Sequence, residues 1–191
     1  MSEEINVKII GEYRDILHRG SEVIKDSGWK SNVIVEACGR FLAALMRKDF
    51  HEQATGIEYI AVSDGSGGSP VDFRNRLIEY FGWLNTAGNT GPSNGVWAKK
   101  IEDIKYLDNE DSEVTDITNK LKISVTIEEN EPSEQTFNLK EFSLVSICKN
   151  PVTNQFDTER MFLVNYVDHA KIEKDKTMEL TRTIKLTFPV E

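Results

Sequence analysis

The sequence predicts a mainly β chain with one or two helices, an α+β fold. It is expected as an antiparallel β-sandwich with an N-terminal hairpin and a packed helix at about 32–48. Three observations carry this. Near the C-terminus Met178, Leu180, Ile184, Leu186 and Phe188 alternate with Thr177, Glu179, Thr181, Thr183, Lys185 and Thr187, with Arg182 the exception on the apolar side. That is a strand half buried against a core and half wet. Residues 32–48 give the best helical period, with Ile34, Cys38, Phe41, Leu42 and Leu45 on one face. The strands after residue 96 do not alternate with helices, as a parallel sheet would require.

Taken in order, residues 5–30 read as a hairpin. Val7, Ile9, Tyr13 and Leu17 share one face and Ile10 and Ile16 the other, a second arm covers 23–29, and Gly20 supplies the turn. Both faces carry apolar residues, so the hairpin is either sandwiched or used as a contact surface, an interaction arm over 1–31. In the helix at 32–48, Asn32 is the expected N-cap, Glu36 complements the dipole, and Arg47 and Lys48 suit the last turn. Residues 57–62 read as a buried strand running into a Gly-rich loop at 64–70. A shorter helix over 72–84 places Leu77, Ile78, Phe81 and Leu84 on one side. A long loop follows at 85–95, of the kind that contacts something. Beyond Val96 the alternating sets are Leu121, Ile123, Val125 and Ile127, then Phe137 and Leu139, a dense run at 142–147, and Phe162, Val164 and Tyr166. Two acidic connectors, 108–116 and 128–134, break these strands. No repeat or strong boundary divides the chain, so residues 1–191 are expected to form one domain.

Composition excludes several classes. At 191 residues a chain buries roughly 70% of its unfolded surface and needs no staples. A net charge of −9 disfavours generic nucleic-acid binding and anionic membrane surfaces. The N-terminus lacks an apolar core and is not expected to be a secretory signal. The longest apolar run, 41–46, is too short for a membrane span. Cys38 and Cys148 form no disulfide framework and read as buried thiols.

No motif for catalysis emerges. The loop at 64–70 has Gly65 and Gly67 in the first two places of a dinucleotide fingerprint, but Pro70 stands where the third glycine belongs. An EF-hand loop counted from Asp108 would need glycine and glutamate where Glu113 and Asn119 stand. His18, His51 and His169 have no zinc-ligand spacing. No catalytic residue, cofactor or metal is therefore expected. Trp29, Trp83 and Trp97 could form a carbohydrate platform, although tryptophans scattered in this way are more often core or interface.

The order of features resembles a group of small structural proteins of tailed bacteriophages and related contractile injection particles. The residues that carry it are Asn32-Val33-Ile34-Val35, then the helix with Gly39-Arg40-Phe41-Leu42-Ala43-Ala44-Leu45, then Tyr59-Ile60-Ala61-Val62-Ser63-Asp64-Gly65, and the final strand. Two departures bear on the subfamily: Ser63 stands where the group usually has glycine, and Thr183 where it has tryptophan. The resemblance implies a non-enzymatic tail, baseplate or fibre-attachment subunit, located in the virion and assembled in the host cytoplasm. Its partners would be other particle subunits and copies of itself, with no nucleic acid or membrane. On that reading residues 5–30 and the loops 64–70 and 85–95 are contact surfaces, with Tyr13, Leu17, Trp29, Asp64, Ser66, Asn89, Asn94 and Trp97 at the interface. The alternative is a stand-alone β-sandwich module binding a carbohydrate or other surface ligand, which would expose Trp83 or Trp97.

Overall fold

A hairpin forms within the expected 5–30, although its second arm ends at Asp26, short of residue 29, and Val7 lies outside the described residues. Strand β1 (Ile10–Arg19) turns through Gly20 into β2 (Glu22–Asp26). Gly20 takes φ +55°, a left-handed value that costs least without a Cβ. The computed structural model describes residues 8–47, 56–87, 91–132 and 136–188. After a break at 27–29 the chain resumes antiparallel to β1 as β3 (Lys30–Ile34), with Asn32 opposite Gly11.

Helix α1 therefore spans Glu36–Arg47 and starts later than residue 32. The β-branched run Val33-Ile34-Val35 favours extended backbone, which decides the boundary. Asn32 is no N-cap. It lies buried in β3, and its Oδ1 accepts from Asn165 Nδ2 at 2.8 Å. The helical spacing from residue 38 onward holds, with Cys38 and Phe41 buried and Glu36 bonded to Arg40 one turn on.

Helix α2 (Pro70–Ala87) is longer than the 72–84 expected. Ser69 caps it, its Oγ accepting from Asp72 N at 3.1 Å, and Pro70 sits where a missing N–H is harmless. Half of the expected 85–95 loop is thus helix or lies at 88–90, outside the described residues. Phe73, Leu77, Tyr80 and Phe81 form the buried stripe. Each contributes roughly 1.5–3 kcal/mol by leaving water.

The remaining strands are β4 (Tyr59–Ser63), β5 (Val96–Lys100), β6 (Ile104–Leu107), β7 (Glu113–Val114), β8 (Lys120–Ile127), β9 (Phe137–Ser146), β10 (Phe162–Leu163), β11 (Asn165–Lys174) and β12 (Glu179–Thr187). The ladder runs β5-β4-β9-β11-β3-β1-β12-β8-β6-β7, with β2 on β1 and β10 on β9. Every pair is antiparallel. The fold is mainly antiparallel β with two helices, as the sequence predicts.

Strand β3 makes the corner. Its residues 30–32 pair with β1, and 33–34 pair with β11. A strand that changes partners in this way folds one part of a ladder over another. The two layers meet at Phe142 of β9, whose ring lies 5.0 Å from that of Tyr13 on β1. Helix α2 covers the opposite face of the β4–β9 layer, where Phe81 meets Tyr59 edge to face at 5.4 Å.

One polar cluster sits between the layers. Arg182, 1% exposed, donates from Nε and Nη2 to both oxygens of Asp15 at 2.6 and 2.7 Å. Its guanidinium lies 3.9 Å from the centre of the Phe142 ring. The exception in the alternation of β12 thus points inward and finds its carboxylate on the neighbouring strand, in register at Asp15. Both thiols, Cys38 and Cys148, are buried and form no disulfide.

Candidate contact surface

Which face of β1 is core decides where contacts can form. Tyr13, Asp15 and Leu17 point inward and are buried. Tyr13 and Leu17 are therefore corrected from interface to core. The hairpin has apolar residues on both faces, and the covered one is that on which Tyr13 meets Phe142 and Asp15 meets Arg182.

The other face of the same strands is open. Ile10 is 58% exposed, Val23 55%, Trp29 41% and Val33 63%. Register and alternation put Ile10 and Val33 side by side at one end of β1 and Val23 at the other. Gly11 faces buried Asn32, whose side chain occupies the space a Cβ at Gly11 would take, so Ile10 and Val33 are outward neighbours. Val23 faces outward-pointing His18. Trp29 lies on this face too, its ring 4.3 Å from Lys185 Nζ, which extends from the outer side of β12.

The backbone adds a second feature. Among the described residues β2 pairs with β1 alone, so its far edge offers unpaired N–H and C=O groups. All five residues of β2 are exposed. The charges Glu22, Lys25 and Asp26 guard this edge against indiscriminate pairing. Asp26 is held by Arg14, and this pair keeps the Asp26 carboxyl down at about 2.

The Gly-rich loop is a lock built on a buried carboxylate. Glu141 of β9 is fully buried and sits under the loop. Its Oε1 accepts from Gly68 N at 3.1 Å and Tyr166 Oη at 2.7 Å. Its Oε2 accepts from Arg76 Nη2 at 2.7 Å and from Ser63 Oγ. Arg76 Nη1 also reaches Ser66 Oγ at 2.9 Å and Asp64 Oδ1 at 3.3 Å. Burial alone would push the Glu141 carboxyl up; the bonds from Ser63 and Tyr166 and the charge of Arg76 outweigh it and hold it below its ordinary value. The Tyr166 hydroxyl is pushed up by burial and by donating to that carboxylate.

Asp64 and Ser66 are therefore brought together around Arg76, and both remain exposed. Gly68 N already serves Glu141, and Ser66 N serves Asp64 Oδ1 at 3.0 Å, so the loop's amides are engaged by this chain's own carboxylates. Gly95 closes the lock. It has φ +68°, and a Cβ there would fall on the Asp64 carboxylate. Gly95→Ala is expected to cost about 2 kcal/mol or more in urea unfolding; a loss under about 0.5 kcal/mol would mean that the loop is not packed as described.

Other expected positions scatter. Trp97 is buried on β5 and is corrected to core. Val96 beside it is buried as well, so both faces of β5 are covered at this end. Trp83 is half-buried beside Tyr80, 6.1 Å between ring centres. Neither is the open platform that the carbohydrate reading expects. Asn94 is exposed with φ 50°, and its Nδ2 donates to Glu79 at 2.8 Å. Asn89 lies outside the described residues. The acidic connector at 108–116 folds back on lysines: Asp111 meets Lys185 at 2.6 Å and Glu113 meets Lys122 at 2.7 Å. The connector at 128–132 is held by buried Lys174, whose Nζ donates to the carbonyls of Glu128 and Glu131 at 2.6 and 2.7 Å. Sequence reasoning missed Val23, Ile24 and Val33 as exposed positions. The signal available was the apolar content of both hairpin faces.

No protein-family model, characterised protein or solved structure matches the chain.

Proposed function

We propose that the chain is a non-enzymatic structural subunit of a phage tail or tail-like particle, at the tail, baseplate or fibre attachment. It acts through contacts with other particle subunits and copies of itself. The observation that supports this most is the outer face of β1 and β3, where Ile10 and Val33 are exposed neighbours, Trp29 follows further along the same face, and the open edge of β2 lies at the other end of β1. Such an edge accepts a strand or hairpin from a neighbour, and repeated lateral contacts of this type build symmetric assemblies. The sequence motifs at 32–45 and 59–65 and the final strand support the choice of particle.

The reading has a direct test in a charge placed on the patch. Ile10→Glu with Val33→Glu changes residues that are already more than half exposed. The stability of the isolated chain should move by no more than about 0.5 kcal/mol. Self-association and incorporation of a tagged chain into particles should be lost. A doubly substituted chain that assembles like the unmodified one removes the patch from the mechanism.

A further inference from the structure

His169 of β11 touches the Arg182–Asp15 pair, and the geometry fixes its protonation. Arg182 can only donate, and its Nη2 lies 2.9 Å from His169 Nε2. Nε2 therefore carries a lone pair. The opposite nitrogen, Nδ1, lies 2.9 Å from the Ala170 carbonyl and donates to it. The ring is a neutral imidazole with both nitrogens committed. Around it stand Arg182 of β12, Asp15 and Tyr13 of β1, Phe142 of β9 and Lys30 of β3.

The surroundings have no acceptor to offer a second cation. Both oxygens of Asp15 already bond to Arg182. Arg182 Nη1 is buried with no partner at all, so the cluster is already short of one acceptor. The backbone beside the ring interrupts its ladder. Strand β11 pairs with β9 at Val167 and Asp168, then shifts register and resumes at Ile172. Residues 169–171 lie in that irregularity, where a strand bends and its pairing is locally lost.

We propose that His169 is an acid-operated latch between the two layers: a proton taken from solvent by Nε2 ends its bond with Arg182 and frees segment 168–171 of β11 from the β1–β12 seam. Burial first, then the Arg182 charge, lowers the ring's pKa from the usual 6.5 to about 4. The unfolded or opened chain thus binds more protons than the closed one between those values. Stability from this contact is complete above about 6.5 and is lost as pH falls through the window toward about 4.

The test is a pH titration of the whole chain by two-dimensional NMR. The His169 ring signals should titrate near 4, and the amide signals of 168–171 should move with the same midpoint. His169→Gln offers Arg182 a neutral acceptor that takes no proton. In that variant the segment should stay closed through the window, with opening displaced by about one pH unit or more. Two results overturn the proposal: a ring that titrates near its ordinary value while segment 168–171 stays unchanged, or a His169→Gln chain whose segment opens at the unmodified midpoint. The second would assign the acid response to groups other than His169.

Discussion

Asp15→Ala is expected to destabilise the chain by about 3–5 kcal/mol, among the largest losses a single substitution here can cause. The change removes little volume. It leaves the Arg182 guanidinium buried between the layers, facing Phe142 and His169, with no countercharge. A buried ion pair by itself is weak evidence for stability, because desolvation offsets much of the attraction. The large term is the charge left alone when one partner goes. The double change Asp15→Leu with Arg182→Met should therefore recover much of what Asp15→Ala loses. Urea unfolding of the unmodified chain, Asp15→Leu, Arg182→Met and the double change measures the coupling, expected at about 2 kcal/mol or more. Additive losses would show that the pair does not act as a unit.

Glu141→Ala should cost a similar amount, about 3–5 kcal/mol, and should also loosen a defined piece of backbone. Four donors converge on that carboxylate: Arg76, Ser63, Tyr166 and the Gly68 amide. Each buried donor left without an acceptor costs about 1–3 kcal/mol unless it moves to reach water. The loop at 64–69 can make that move, because Gly65 and Gly68 give it freedom once the anchor is gone. Hydrogen exchange should rise tenfold or more in order of magnitude at residues 65–69 while the β8–β12 ladder stays protected. Glu141→Gln keeps an accepting oxygen and should fall between the unmodified chain and alanine. Unchanged exchange in the loop of Glu141→Ala would contradict the lock.

These two clusters mark how far the sequence could be read. The inward exception at Arg182 stands out from the alternation of β12, yet its partner Asp15 is 167 residues away and cannot be found by local pattern. The same distance explains the error over β1. Tyr13 and Leu17 on one face and Ile10 and Ile16 on the other satisfy period 2 equally well. Which face is covered depends on the layer above, and hence on Phe142. Helix α2 was visible from Leu77 and Phe81, while the start of α1 was misplaced because Ile34 fits both periods and its β-branched neighbours favour a strand. The loop at 64–70 reads as flexible by composition. It is held by Arg76 and Glu141, and nothing near Glu141 in the sequence announces that role. Trp97, expected at an interface, is buried together with its neighbour Val96, so no alternation along β5 marks it as core.

The contact surface has the opposite character. Its residues are ordinary strand formers that the layered core leaves uncovered, so they become visible only once the core face is known. Sedimentation velocity on the full chain across a wide concentration range, followed by electron microscopy of any large species, tests the central claim most directly. The account predicts defined oligomers or regular particles that disappear with Ile10→Glu and Val33→Glu while the fold persists. A monomer at every concentration, with no incorporation of the tagged chain into any particle and no difference between the unmodified and substituted chains, would contradict it.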